Sequence, residues 1–452
     1  MTTEHITIAG AGLAGALLGV FLARRGHEVE LFERRPDMRQ HNISAGRSIN
    51  LALADRGIHA LQAAGVFDAI EPLMIPMPGR MLHDLSGNLS FQKYGRLDDE
   101  INYSISRGEL NKVLMTAAEE TGRVNIRFNT RCDDYDIKSG LLTMTDESSQ
   151  EQIKVKTSVV FGCDGASSPI RNALVRQCKF VVSEEPLAHA YKELAIPPGK
   201  SGEWRIEKNA LHIWPRGGFM LIALPNLDGS FTVTLFLPVT GNPSFNSLES
   251  ESEVEKFFSE QFPDALAQIT DLAKDFFSNP MGMLGTIRCN QWQADGRAAL
   301  LGDAAHAVVP FHGQGMNCAF EDCLELDRLI EQHGKDWVRI LPDFEKARVA
   351  NANAIADMAL ENYIEMRDIV RDPRFQLQKQ LEFLLEEKFP ERFIPRYSMV
   401  MFHQEIPYTE AKNRGKIQKA ILQQLTESAT TLDKIDLTLA ERLVNEKLDL
   451  LR

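Results

Sequence analysis

The 452-residue chain has no run of 18 apolar residues, so a transmembrane helix is not expected. No charged segment followed by a long apolar one precedes the first strand, so no signal peptide is expected either. Cysteine is sparse. Cys132, Cys163, Cys178, Cys289, Cys318 and Cys323 are scattered, with no Cys-x-x-Cys pair. That argues against a zinc centre or a disulfide framework and suits a reducing cytoplasm. Basic clusters are missing too. Lys and Arg number 50 against 63 Asp and Glu, a net charge of −13, which leaves no electrostatic footprint for nucleic acid. No internal repeat is visible. What is present is ordinary globular composition, 44% hydrophobic and 25% charged, in a chain long enough for two or three domains.

The first motif is immediate. Ile6-Thr7-Ile8-Ala9 reads as a strand and Gly10-Ala11-Gly12-Leu13-Ala14-Gly15 as a tight loop. An apolar helix follows from Leu13 to about Ala23, then a second strand, Val29 to Phe32, with Glu33 at its end. This is the βαβ dinucleotide fingerprint. Gly10 allows the turn, Gly12 lets a pyrophosphate approach the backbone, and Gly15 lets helix and strand pack. Glu33 is placed to accept hydrogen bonds from a ribose diol. Arg34 and Arg35 behind it do not decide between FAD and NAD(P).

Two further corners repeat the strand–acid–glycine theme. Val159 to Gly162 reads as a buried strand ending in Asp164-Gly165, with Pro169 at a helix start and Arg171 on that helix. Ala298 to Leu301 leads into Gly302-Asp303, then an irregular segment with Pro310, Phe311, His312 and Gly313. A helix periodicity begins near Gly315-Met316-Asn317. Its N-terminus offers N–H groups and the positive dipole end to an anion. Arg47 beside Gly46, and Arg107 at a strand-to-helix junction, are placed to reach a cofactor. Residues 188–238 read as antiparallel strands, 250–279 as acidic helices, and 336–452 as nearly all helical. Asn362, Glu365 and Met366 share one face of a helix expected from Phe344 to about Met366.

Three corners spread over some 300 residues on one sheet suit a single large dinucleotide held along its length, which points to FAD. The trio resembles the group A flavoprotein aromatic hydroxylases. In that family the Asp-Gly corner and nearby Arg, here Asp164, Gly165 and Arg171, are linked to both FAD and NADPH, and no second Rossmann fold exists; none is found here. Strings spread over nearly the whole chain, among them GRSINLAL, NALHIWP, LLGDAAHAVVPFHGQGMNCA, MALENYIEM and RFIPRYSMV, resemble the kynurenine 3-monooxygenases within that family.

The resemblance implies an α/β fold: a discontinuous Rossmann-type FAD domain (1–70, 104–180 and 281–335), an inserted antiparallel substrate domain (71–103 and 181–280) and a C-terminal helical region (336–452). It implies a cofactor set of Gly10, Gly12, Leu13, Ala14, Gly15, Glu33, Arg34, Arg47, Ala52, Arg107, Cys132, Asp164, Asp303, Gly315, Met316 and Asn317. For substrate it implies Arg80, Tyr94, Asn362 and Tyr397 at the amino-acid end of L-kynurenine, Leu211, Leu224 and Phe236 with Phe311 and His312 at the walls of its aromatic pocket, and Met366 as a further contact. Pro310, Phe311 and His312 would form a pocket wall, His312 shaping it or moving a proton. A forked guanidinium at Arg80 suits a carboxylate. Eukaryotic members carry a hydrophobic C-terminal anchor, whereas the stretch 441–452 is charged, so membrane attachment is not expected.

The implied reaction takes L-kynurenine, NADPH and O2 to the 3-hydroxylated product through a flavin C4a-hydroperoxide, in tryptophan degradation toward NAD. The aniline nitrogen already activates ring carbon 3, so orientation and exclusion of water are the protein's tasks. Alternatives are a hydroxylase of a simple phenol or benzoate and a non-catalytic flavoprotein. Oligomeric state is not legible.

Overall fold

The computed structural model describes residues 5–40, 50–369 and 372–451. The chain divides into two compact units, the first made of 1–74, 105–187 and 284–356, the second of 75–104, 188–283 and 357–452. The C-terminal helices beyond 356, anticipated as a region of their own, thus fall in the unit that holds the antiparallel sheet.

The first unit is built on a sheet in the order Gln293–Ala294, Ala298–Leu300, Val159–Gly162, Ile6–Ala9, Val29–Phe32, Val124–Arg127. All neighbours pair in parallel except the first two. The central strands are short, apolar and wholly buried, as strands covered on both faces must be. Register places Ala9 beside both Phe32 and Gly162, and Gly162 beside Leu300. The three glycine–acid corners therefore leave neighbouring strands in one row at their carboxyl ends, where doubly wound sheets bind ligands. The helix Leu13–Arg24 is apolar nearly all round and nine of its residues are buried. A small antiparallel meander, Thr130–Asp136, Leu141–Asp146 and Gln152–Lys156, completes the unit.

The second unit carries a sheet in the order Val182–Ile196 (from Ala188 on), Phe231–Pro238, Met220–Pro225, Leu211–Pro215, Gly79–His83, Leu89–Lys93. Strand alternation gives its two faces different tasks. Trp214, Leu221, Ala223, Val233 and Leu235 point to one face and form a core with Val254, Phe258, Phe262 and Phe276 of the helices over 251–278. The other face holds the row Arg80, Leu211, Leu224: Leu211 is the register partner of Arg80, and the pairing of His212 with Ala223 brings Leu211 opposite Leu224. The C-terminal helices form their own core from Leu381, Leu385, Phe393, Ile421, Leu422, Leu443 and Val444. Pro395 and Pro407 stand at the N-caps of Arg396–Met401 and Tyr408–Leu425, so each proline ends one segment and starts the next.

The expected helix from Phe344 to about Met366 is longer and ends differently. It runs from Trp337 to Ile364 and passes into a π-helical turn, Glu365–Ile369. Met366 lies in this wider turn, yet its Sδ stays 3.4 Å from Asn362 Nδ2, so the two remain neighbours as the helical period implies.

Candidate active site

In the first unit, the three N-terminal glycines differ in what holds them. Gly10 has φ +99°, and a Cβ there would lie 2.4 Å from the Cys163 carbonyl oxygen. A Cβ on Gly15 would lie 2.0 Å from the Gly10 oxygen. Both are required by the protein's own packing. Gly12 has nothing within 4 Å of its missing Cβ, so its bareness serves an approach from outside the chain. Leu13 and Ala14 open the helix behind it. Glu33 Oε2 accepts the Ala11 N–H at 3.0 Å, and Oε1 accepts the Arg35 N–H and Nε–H at 3.1 Å. Arg35 is thus committed to the acid, while Arg34 is exposed. Ala11, Glu33, Met38, Asn111 and Phe128 line a hollow beside this loop. Asn111 was not anticipated; its Nδ2 donates to the Ala11 carbonyl at 3.1 Å. The signal was a buried amide on the apolar side of Arg107–Glu120, between Leu110 and Leu114.

At the second corner, Asp164 Oδ2 accepts the Ile170 N–H at 3.2 Å, while Oδ1 is buried and accepts nothing. Burial pushes its carboxyl up to about 6 against the pull of Ser168 and main-chain N–H groups. Cys132 is buried, and desolvation, reinforced by the Asp164 charge, raises its thiol. Arg171 is 2% exposed. It donates to the Ala304 carbonyl at 3.0 Å and the Ala166 carbonyl at 2.5 Å, so it is a strut between the second and third corners. At the third corner, Gly302 has φ +59° and its missing Cβ faces Ala14 and Ala319 at 3.4 and 3.5 Å. Asp303 is exposed at the start of the short helix Asp303–His306.

The segment expected to be irregular contains a 3-10 turn, Pro310–His312, before the helix Gly315–His333. Gly315 and Met316 begin that helix; a Cβ on Gly315 would meet only Val308 Cγ2, at 3.5 Å. Asn317 belongs to the cofactor set that the resemblance implies. Its side chain instead turns inward and is fully buried. Oδ1 accepts the Ala54 N–H at 3.0 Å, and Nδ2 donates to the Ala52 and Gly313 carbonyls at 2.9 and 2.8 Å. The amide straps residues 52–54 to the helix start, leaving only the main chain of that first turn to offer N–H groups. Phe311 and His312 are buried, Pro310 exposed. Arg107 is exposed at the first position of its helix. Arg47 lies outside the described residues.

In the second unit, Arg80, Tyr94 and Tyr397 converge from a strand, a loop and a C-terminal helix. The Arg80 guanidinium carbon lies 5.3 Å from the Tyr94 ring centre and 4.8 Å from that of Tyr397, and the two rings stack at 5.4 Å and 14°. Burial opposes the Arg80 charge, but Tyr397, Tyr94 and Glu365 together raise its pKa, so it remains a cation. Its Nε–H is buried with no acceptor, an incomplete donor set in a desolvated position. Tyr94 is held protonated by burial. Asn102, also unanticipated, donates to the Tyr397 hydroxyl at 3.3 Å. Tyr94 and Leu224 share a cluster with Met77, against which Leu211 and Tyr397 pack. Asn362 is 3% exposed, and its Nδ2 approaches Met366 Sδ at 3.4 Å. Phe236 stands apart along the same sheet face, its ring 6.2 Å from that of Tyr191.

Among the described residues, no helix is long and apolar enough to cross a membrane. A family model described as an FAD binding domain matches residues 3–359. The kynurenine 3-monooxygenase of Myxococcus xanthus is 50% identical over 445 residues, 98% of this chain and 96% of that protein. That of Xanthomonas axonopodis pv. citri is 47% identical over 449 residues, 99% and 98% of the two chains. Among solved structures, 2-methyl-3-hydroxypyridine-5-carboxylic acid oxygenase is similar with a TM-score of 0.67 at 21% identity, covering 82% of this chain and 95% of that one. Tetracycline destructase Tet(51) gives 0.60 at 17%, covering 86% and 96%; these two likenesses concern the fold alone. The three corners on one parallel sheet, the open Gly12 and the full-length likeness converge: the chain belongs to the FAD-binding-domain family and, within it, to the kynurenine 3-monooxygenases.

Proposed function

We propose that the chain is an FAD-dependent monooxygenase that converts L-kynurenine, O2, NADPH and a proton into 3-hydroxykynurenine, NADP⁺ and water. Two features support a bound FAD. Gly12 is bare toward open space, and Asp164 Oδ1 is buried without a donor, so a dinucleotide hydroxyl would complete it. Glu33 retains acceptor capacity on Oε2 for a ribose diol beside its three internal bonds. When bound, the flavin takes hydride from NADPH and activates O2 for transfer to the ring. Asp303 and the first-turn N–H groups of Gly315–His333 would hold it, the helix dipole stabilising negative charge on the reduced ring.

The observation that carries the substrate reading is the Arg80–Tyr94–Tyr397 cluster above Leu211 and Leu224. A carboxylate beside Arg80 would accept the orphaned Nε–H and a second N–H as a fork, with the tyrosine hydroxyls as further donors. The aromatic ring would lie along the apolar row. Kynurenine's amino group already activates ring carbon 3, so these residues orient the substrate and exclude water without supplying a base.

The test is aerobic incubation of the FAD-loaded chain with NADPH and L-kynurenine, with products identified by mass and 4-hydroxybenzoate in a parallel arm. A kynurenine product heavier by one oxygen is expected. NADPH oxidation that kynurenine leaves unstimulated would refute the reading.

A further inference from the structure

Behind the Asp303 corner lies a fully buried polar array that no step above uses. His306 ends the helix Asp303–His306. Its Nε2 is 2.5 Å from Asp322 Oδ2, two turns into Gly315–His333. Asp322 Oδ1 accepts the Arg348 Nε–H at 2.7 Å, and Arg348 also pairs with Glu321 at 2.7 Å. Trp292 stacks on the imidazole at 4.8 Å and 21°. His306, Asp322 and Arg348 are 3%, 0% and 5% exposed.

His306, Cys318 and Asp322 bring three ligand-type atoms within 4.8 Å of one another, but a metal is not the reading this geometry favours. The Arg348 guanidinium occupies one Asp322 oxygen and lies 3.5 Å from Cys318 Sγ, and a fixed cation there repels a second one. What the array does mechanically is plain. One hydrogen bond joins the last residue of the Asp303 helix to the body of the helix that starts at Gly315. Asp303 and the helix N-terminus at Gly315, both proposed to hold the flavin, are thereby set relative to each other.

We propose that His306 is a positioning residue for flavin binding: its Nε2–H, anchored on Asp322 and backed by Arg348, fixes the Asp303 corner against the N-terminus of Gly315–His333. The inference rests on the reading that this corner holds FAD.

The test titrates flavin-free full-length variants with FAD by fluorescence quenching and records the melting temperature without flavin. His306→Gln can carry an amide N–H to the Nε2 position, whereas the shorter His306→Asn cannot. Expected is at least a tenfold weaker FAD dissociation constant for the Asn variant and a change within threefold for the Gln variant, with flavin-free melting temperatures alike. FAD affinities unchanged in both, or lowered equally in both, would overturn the proposal. If the Asn variant does not fold, Asp322→Asn is measured instead, under the same tenfold threshold. Asp303→Ala separates the two levels. If it leaves FAD affinity intact, the corner reading itself fails. If it weakens FAD while His306→Asn does not, only the positioning role fails.

Discussion

Arg171 donates to the Ala304 carbonyl at 3.0 Å across 133 residues of sequence, joining the Asp164-Gly165 corner to the Gly302-Asp303 corner. The arginine is a buried tie and not an exposed cation. Arg171→Ala leaves the buried Ala304 carbonyl with only the Cys289 thiol at 3.9 Å and frees the Ala166 carbonyl of the exposed loop, and an under-satisfied buried group costs about 1–3 kcal/mol. The expected outcome is a lower melting temperature together with weaker FAD binding. Arg171→Lys should recover only part of both, since one ammonium cannot reproduce the fork. A thermal scan with and without FAD checks this; an unchanged alanine variant would remove the strut.

The glycine loop makes a paired prediction. Gly15→Ala places a methyl 2.0 Å from the Gly10 oxygen. Backbone must shift, at about 1–3 kcal/mol for overpacking, and the flavin-free chain should melt lower. Gly12→Ala meets nothing within 4 Å, so the flavin-free chain should melt normally while FAD affinity falls. Equal effects of the two changes on the flavin-free chain would contradict this division.

Arg80→Lys tests the substrate cluster without touching the cofactor. A point-charge ammonium cannot fork onto a carboxylate, and a lost charged hydrogen bond is worth about 1.5–3 kcal/mol. The apparent affinity for kynurenine should therefore fall by roughly tenfold to a hundredfold while FAD affinity stays the same. Tyr397→Phe should have a smaller effect in the same direction. Stopped-flow binding of kynurenine to the oxidised enzyme measures both.

Much of this was legible in the sequence because it is local. The βαβ unit from Ile6 to Glu33 is specified by glycine spacing and short apolar strands, and the structure has it with strand ends unchanged. What was not legible is where polar side chains find partners distant in sequence. Asn317 sits in a motif that reads as cofactor-facing, yet its amide is consumed by Ala52 and Ala54, 263 to 265 residues earlier. His83, at the end of the strand Gly79–His83, lies 2.8 Å from His212 and 2.6 Å from Asp264. No periodicity reports such pairings, because they depend on strand order. The π-helical turn after Ile364 escaped for a related reason: a 3.6-residue period assumes a regular helix.

The last prediction concerns Glu386, a carboxylate in the core of the second unit. It is 5% exposed, its Oε2 accepts no hydrogen bond, and Arg96 Nε is 3.8 Å away. Burial, and then the nearby Glu100, push its pKa up to about 7 from an ordinary 4.5, against the smaller pull of Arg96 and His403. The folded chain therefore binds more protons than the unfolded one between those values, so stability falls as pH rises. The favourable contribution is whole below about pH 4.5, is lost progressively, and is gone above about pH 7. That loss is the cost of ionising a buried carboxyl whose cations only partly offset burial, on the order of 3 kcal/mol. Glu386→Gln keeps the shape and cannot ionise. It should raise the urea midpoint at pH 8 and leave it nearly unchanged at pH 5. A shift of the same size at both pH values would mean that Glu386 does not titrate in this range.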